Sequence, residues 1–487
     1  MNGSEAPVQG PGYTRIALLA SGAMFLAILD STIANLAVSD MHETFRGASI
    51  SDFSWVITLY AIFFAALLAP AGRLADAVGR RALYTMGVGV FTVASLLCAV
   101  APYLPFLLAA RAIQGAGAAA MIPASLAVIL FDTPPARRMA AIGLWSAAGS
   151  AAAAIGPSLG GVLIDASGWR SVFLINVPFG IALMAGVRAV RRSERVPGRF
   201  PDAVGSLALA LGMGGLVLGV TQGSDWGWGT SRTLGCLAAG ALVLAYGVLR
   251  ARTQPVPAID TTLWRSRTFS LANVVSFFYG AALYAWLLCG VLYLVNVWHY
   301  SELKAGFVLS PGAVFSAIAA VGIGRVLGKR AGPRLMVIGG SLLIVGVGVW
   351  LVAVLPVEPH LVDLWIPTAA ISGFGMGAVS TGVSTAAALS VPPAQFAGAT
   401  GLNMAARQMG GALGIAVLAS VLAGANISGT TAYAHVLLFC TVMAAVSGLA
   451  GLGLTLRPAP QPSASASASA ATASATTGTA AATGGEA

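Results

Sequence analysis

Gly149-Ser-Ala-Ala-Ala-Ala-Ile-Gly156-Pro157-Ser-Leu-Gly160-Gly161 lies inside an apolar run that extends from about Ala140 to Ile164. On a helix, Gly149, Ala153, Gly156 and Gly160 recur at spacings of four, three and four, which places them on one narrow stripe. A stripe without bulky side chains lets two helix backbones approach closely in lipid, where packing rather than the hydrophobic effect joins helices. Pro157 has no N–H and crowds the preceding turn, so a kink is expected there. A kinked, small-faced helix suits a seam between two bundles that move. Tight static packing accounts for the same residues equally well.

The rest of the chain reads in the same way. Fourteen candidate spans occupy roughly 14–36, 53–71, 82–101, 105–130, 139–164, 171–189, 203–222, 232–250, 268–297, 304–326, 335–355, 362–389, 397–424 and 434–456. Runs of about 20 apolar residues are the length that crosses a bilayer. Only 9% of the 487 residues are charged, against about 25% in soluble domains, so a soluble globular protein is excluded. The fold class expected is an all-α polytopic membrane protein. Residues 1–13 and the Ser/Ala/Thr-rich tail 458–487 read as disordered. The first apolar run is long enough to span and has no clear cleavage site, so no removable signal peptide is expected.

Charge placement tests the count. With the N-terminus taken as cytoplasmic, twenty of the 26 Lys and Arg residues fall in inward segments and four in outward ones. The remaining two, Arg111 and Arg407, lie within spans. That alternation follows the positive-inside rule and puts both termini in the cytoplasm. The net charge of +10 is spread over short loops and is no sign of nucleic-acid binding.

An internal repeat is visible. Gly72-Arg-Leu-Ala-Asp76-Ala-Val-Gly79-Arg80-Arg81 follows span 2, and Gly324-Arg-Val-Leu-Gly-Lys-Arg-Ala-Gly-Pro-Arg334 follows span 10. Ile113-Gln-Gly-Ala-Gly117 in span 4 is echoed by Ile371-Ser-Gly-Phe-Gly375 in span 12. The common offset of eight spans divides the chain into a six-span bundle (14–189), two inserted helices (203–250) and a second six-span bundle (268–456). Parallel halves of six spans are a transporter architecture with the substrate site between them.

Charged residues inside spans are few and therefore informative. Asp30 is the one acid near the middle of any span, and it lines up with Ala23, Ala27, Ala34 and Ala37. An unpartnered carboxylate in hydrocarbon is costly. Burial disfavours its charge and a cation favours it, so a carboxyl balanced between the two can take up and release protons. A permanently paired structural Asp is the alternative. Arg111 shares a face with Gln114, Ala118, Met121 and Ser125, and it stays charged at any relevant pH. It can supply a fixed counter-charge, or it can bond backbone carbonyls of a broken helix. Arg407 sits with Asn403, Gln408 and the glycines Gly410, Gly411 and Gly414, where a functional role and snorkelling from a span end fit equally. In the Gly72–Arg81 loop, Asp76 stands among Arg73, Arg80 and Arg81 between two glycines, a pattern that can latch helix ends; anchoring by the arginines leaves Asp76 and the glycines unexplained. Trp55, Tyr60, Phe64, Trp145, Phe277, Phe278, Tyr284 and Trp286 are aromatics within spans, none singled out for a pocket.

Enzymatic signatures are missing. The sequence holds no Walker, HExxH or GxSxG pattern, its four histidines are scattered, and its four cysteines fall in apolar runs without a CxxC pair. No enzyme, no metal and no cofactor are expected, and an ion gradient must supply the energy.

Together these motifs resemble the major facilitator superfamily, and within it the 14-span drug:proton antiporter branch. Leu29-Asp30-Ser-Thr-Ile33-Ala-Asn35 is similar to the first-helix motif, the Gly72–Arg81 stretch to the signature loop, and Arg111-Ala-Ile-Gln114-Gly115-Ala-Gly117 to the span 4 motif. Gly149 through Gly161 resembles the span 5 motif of exporters. Trp169-Arg170-Ser-Val-Phe-Leu-Ile-Asn176-Val-Pro178 and Arg407-Gln-Met-Gly-Gly-Ala-Leu-Gly414 are similar to the branch's entry to span 6 and its span 13. The resemblance implies a bacterial cytoplasmic-membrane antiporter exporting hydrophobic or amphipathic drugs, with Asp30 and Arg111 in proton coupling. Gly72, Asp76, Gly79, Arg80 and Arg81 would form a cytoplasmic latch. Gly149, Gly156, Pro157, Gly160 and Gly161 would form the antiporter seam, and Asn403, Arg407 and Gln408 a span 13 polar cluster. Partners implied are a small amphipathic substrate, protons and the lipid bilayer, with no nucleic acid and a monomeric state. Two departures stand out. Span 1 ends without the common proline, and no acid lies mid-span in spans 9–14, which argues against strong activity on dications. A dedicated exporter of one metabolite and, from another class, a non-transporting receptor are the alternatives.

Overall fold

The structure, a computed structural model, describes residues 11–37, 40–41, 44–45, 50–187, 200–323, 332–423 and 430–455. Among them every regular element is a helix. Span 1 is Pro11–Ile33, span 2 Ile50–Val78, span 3 Arg80–Ala99, span 4 Leu104–Asp132 and span 5 Arg138–Ser167. Span 6 comes in two pieces, Arg170–Leu174 and Asn176–Gly186. The inserted pair is span 7, Ala203–Trp226, and span 8, Ser231–Ala251. Span 9 is Arg267–Asn296, span 10 Glu302–Gly322, span 11 Pro333–Val354, span 12 Ile366–Leu389, span 13 Phe396–Ala423 and span 14 Thr430–Gly451. Thirteen helices are long and apolar enough to cross a membrane, and the Arg170–Gly186 stretch is a shorter apolar one.

Three boundaries differ from the sequence reading. Span 1 begins at Pro11 rather than 14, because a proline's fixed φ suits a first helical position. Span 2 continues to Val78, so Gly72, Arg73 and Asp76 belong to a helix rather than a loop. Nothing between 71 and 78 breaks a helix; Gly79 does, with a φ of 98° that favours glycine. Span 5, with Pro157 inside it, continues to Ser167 rather than 164 and is stopped by Gly168, whose φ is 72°. The expected disorder at 458–487 and over residues 1–10 lies outside the described residues, as do the arginines between 188 and 199.

Span 4 is the most enclosed helix, with 83% of its apolar window buried, and span 8 the least, with 17%. Span 4 therefore forms a bundle interior, where Gly87 and Gly117 bring spans 3 and 4 together and Gly115 meets the span 2 backbone at Tyr60. Span 8 carries an outward apolar face, with Leu234, Leu242 and Leu249 more than half exposed, as a lipid-facing helix requires.

Two helix pairs make the broadest contacts between the halves, span 5 on span 10 and span 2 on span 13, with span 4 also meeting span 13 and span 5 meeting span 12. The inserted pair docks through span 7, which packs on spans 2 and 13 while span 8 packs on span 7. Asp202 closes that hairpin: it caps span 7 by accepting from Gly205 N at 3.0 Å, and it takes two hydrogen bonds from Arg250, at 2.6 and 3.0 Å. The segment after span 8 ties both halves. Pro257 O accepts from Arg73 Nε at 3.3 Å, and Asp260 accepts from Gln395 Nε2 at 2.6 Å.

Candidate functional site

The centre of the first bundle is a charged knot. Asp30 lies on span 1, three residues before its helix ends. Arg111 and Gln114 sit one turn apart on span 4 and so face the same way. Asp30 Oδ2 accepts from Arg111 Nη1 at 2.7 Å; Oδ1 accepts from Gln114 Nε2 at 2.8 Å and from Asn176 Nδ2 at 2.7 Å. Arg111 also donates to Gln114 Oε1 at 2.6 Å and, through Nε, to the span 2 carbonyl of Val56 at 2.9 Å. Its guanidinium stands 4.3 Å from the Tyr60 ring centroid. Gln114 Nε2 reaches Ser95 Oγ on span 3 at 2.8 Å. Asp30, Gln114 and Asn176 are fully buried and Arg111 is 1% exposed, so no face of the pair meets solvent in this state. Burying two charges is costly unless good geometry and further hydrogen bonds compensate, and five spans converge here to supply them.

At the Gly79 end, the two halves meet through Asp76. Its carboxylate accepts from Gly398 N at 2.8 Å and from Ala397 N at 3.2 Å. These are orphan N–H groups of the first turn of span 13, where the helix dipole also favours an anion. Gly72 makes the approach possible, since a Cβ there would run into the Ala397 carbonyl, and Gly401 lies likewise against Leu68 O. Arg80 stacks over Phe131 at 3.5 Å and so ties this end to span 4. Arg81 opens span 3 beside it.

The glycine stripe of span 5 divides between two neighbours. Gly149, Gly156 and Gly160 lie against span 1 of their own bundle: a Cβ at Gly149 would be 2.9 Å from Met24, and one at Gly160 2.8 Å from Ile33. The contact with the other half runs along the adjacent edge. Ser150 Oγ and Ser316 Oγ are 2.9 Å apart, Ser310 Oγ donates to Ala154 O at 3.2 Å, Pro157 faces Gly306, and Gly161 faces Leu303.

The second bundle has its own polar centre. Arg407 lies near the middle of the 28-residue span 13 and is 5% exposed, so it does not snorkel. Its Nη atoms reach Ser380 Oγ and Ser384 Oγ on span 12, both at 3.3 Å, and it stands 5.3 Å from the Tyr279 ring. Gln408 accepts from Tyr284 OH at 2.5 Å, and Asn403 donates to the span 9 carbonyl of Ala272 at 3.2 Å.

The sequence matches the family description Major Facilitator Superfamily over residues 20–415 and over 326–483. This chain belongs to the Major Facilitator Superfamily. It is 33% identical over 414 residues to the multidrug resistance protein Stp of Mycobacterium tuberculosis, covering 84% of this chain and 76% of the relative. It is 32% identical over 422 residues to the tetracenomycin C resistance and export protein of Streptomyces glaucescens, covering 85% and 77%. The crystal structure of the human organic anion transporter MFSD10 (TETRAN) superposes with a TM-score of 0.66 at 16% identity, covering 92% of this chain and all of that one; at that identity the likeness is one of fold alone. As a facilitator, the chain is a multi-pass membrane transporter and not an enzyme.

Within this facilitator, Asp30, Arg111 and Gln114 come together, and Asp76 meets the opposite half. Gly149, Gly156 and Gly160 sit apart from the inter-half contact that Pro157 and Gly161 make. Residues that the sequence reading did not select are Asn176, Ser95, Tyr60, Ser380 and Ser384. Asn176 carried a usable signal, an amide in an apolar run of the span 6 motif. Tyr60 stood among the span aromatics with nothing to set it apart, and the serines are ordinary in small-residue helices.

Proposed function

We propose that this transporter is a proton-coupled antiporter that exports hydrophobic or amphipathic drugs or antibiotics by alternating access. The reading places it in a bacterial cytoplasmic membrane, as a monomer with both termini cytoplasmic, using no cofactor beyond the proton gradient. The observation that carries it is the buried Asp30–Arg111 pair at 2.7 Å.

The pair has the parts that coupling needs. When the bundles part and water reaches Asp30, protonation removes the charge that holds Arg111. Arg111 keeps its bonds to Val56 O and Gln114 Oε1, so it has a place to rest. Span 1 is then free to move against span 4. Asp76 of span 2, bonded to the start of span 13, holds one end of the bundles shut in this state and lets go in the other, while the Pro157–Gly306 edge carries the flexing. A proton or a drug shifts such an equilibrium only through different affinity for the two states, so the two compete through the shared conformation.

The test is substrate-induced proton release from everted vesicles over a panel of dyes and antibiotics, with Asp30→Asn as control. Release with several unrelated compounds, lost in the variant, is expected. Release of wild-type size from Asp30→Asn would remove the mechanism. A second reading, a dedicated exporter of one metabolite or self-made antibiotic, is favoured by relatives named for a single compound, such as tetracenomycin C. It predicts release with one compound only.

A further inference from the structure

The two polar centres differ in one respect. Arg111 has a carboxylate, and Arg407 has none. Among the described residues no acid pairs with Arg407. The sequence explains why: there is no Asp or Glu anywhere in spans 9, 11, 12, 13 and 14, and Asp363 lies in the turn before span 12. The one acid in span 10 is Glu302, its first helical residue. Across the midline, Asp30 already satisfies Arg111, Gln114 and Asn176.

Arg407 is also under-bonded. Its Nε is buried without a hydrogen-bond partner, and both Nη contacts are long ones to neutral hydroxyls. Thr381 Oγ1 and Thr385 Oγ1 on span 12 and Ser276 Oγ on span 9 are buried without partners as well. A guanidinium at mid-span with one edge unused is costly, and such groups face a bundle interior and pair. Tyr284 donates to Gln408, one residue along, and lies against Gly411 of the same helix, while span 13 also packs on spans 2 and 4 of the first bundle. Arg407 therefore lies on a helix of the boundary between the halves, where a facilitator takes its substrate.

We propose that Arg407 is the anchor for an anionic substrate, an amphipathic compound carrying a carboxylate or ionised phenol. The anion takes the free Nε–H edge in the forked, charge-assisted geometry that guanidinium offers. Ser380 and Ser384 keep the planar group aligned, and the apolar body lies toward Tyr284. This assignment rests on the export reading above and names its substrate class.

The experiment measures equilibrium binding to the full-length protein in nanodiscs of neutral lipid in gluconate buffer. The probes are 2-naphthoate, 9-anthracenecarboxylate and decanoate, each beside its neutral primary amide. Wild type is expected to prefer at least one carboxylate over its amide by roughly tenfold or more, as a charge-assisted hydrogen bond supplies. Arg407→Gln removes the preference without weakening the amide. Arg407→Lys keeps charge without the fork and retains part of it, which preserves the test if the glutamine variant does not fold. No preference for any carboxylate in wild type, or one that persists in Arg407→Gln, overturns the proposal. So does a preference abolished by exchanging gluconate for chloride, which would assign the site to an inorganic anion. Binding needs no proton flux, so a carrier that fails the vesicle assay still reports here.

Discussion

The Asp30 carboxylate and the Arg111 guanidinium, 2.7 Å apart on spans 1 and 4, form an ion pair with no solvent-exposed edge. Removing one partner leaves an uncompensated buried charge, which typically costs about 3–5 kcal/mol, whereas removing both costs far less. Arg111→Gln alone is expected to lower the thermal unfolding midpoint in detergent more than the Asp30→Asn/Arg111→Gln double variant does. Equal loss in the two, measured by tryptophan fluorescence, would mean that the pair does not stabilise the bundle. Neither variant should sustain proton-driven efflux.

Asp76 supplies acceptors to the two N–H groups at the start of span 13, so Asp76→Ala leaves both orphaned. The loss expected is about 1 kcal/mol, the scale of an N-terminal capping and dipole interaction. That biases the halves toward parting at this end. Leu68, fully buried at the same seam, is the reporter. In a Leu68→Cys background, labelling by a water-soluble maleimide should speed up roughly fivefold when Asp76→Ala is added, the factor that 1 kcal/mol corresponds to. An unchanged rate would show that the contact does not hold this end closed.

Gly72 tests the same seam by sterics. Any side chain at this position meets the Ala397 backbone, which belongs to a helix and cannot step aside as a rotamer can. Gly72→Leu should open the seam more than Asp76→Ala and abolish transport while leaving helix content unchanged by circular dichroism. Gly346, whose Cβ direction is open within 4 Å, is the matched control, and Gly346→Leu should be near neutral.

The hairpin of spans 7 and 8 should respond to acid. The hydrogen bonds from Arg250 hold the Asp202 carboxyl below its usual range. A carboxyl lowered in the folded state adds stability above its unfolded pKa and loses it as pH falls through the folded value. Acidification below pH 4 should therefore loosen the hairpin in wild type, read as faster hydrogen exchange across Ala203–Trp226. Asp202→Asn should exchange faster at neutral pH and show little further change on acidification. A parallel acid response in both would assign the loosening to other groups.

Much of the architecture was readable before any coordinates. Hydropathy period and loop charge are local quantities, and a bilayer turns them into topology: apolar runs must span, and arginines without an interior partner or role lie at span ends. Asp30 and Arg111 were legible for the same reason, because an ion in hydrocarbon is conspicuous in a run of Ala, Leu and Val. The helix end near Asp76 was misplaced because small polar residues within a helix carry no stop signal, and the break waits for Gly79.

What a one-dimensional reading could not supply is the partner. Asp30 had an evident need for a cation, but Gln114 and Asn176 come to it from spans up to 146 positions away, with Ser95 bonded to both, and chain spacing says nothing about which helix faces join. The stripe of span 5 was visible as a stripe, yet its division between span 1 and span 10 depends on how three helices share one face. Asp76 looked like a companion of neighbouring arginines and instead bonds the backbone of span 13, more than 320 residues on. Arg407 was visible as a cation within a span, with snorkelling from a span end as open as a buried role. Its unbonded Nε is a property of three-dimensional placement, decided by what the folded second bundle fails to bring to it.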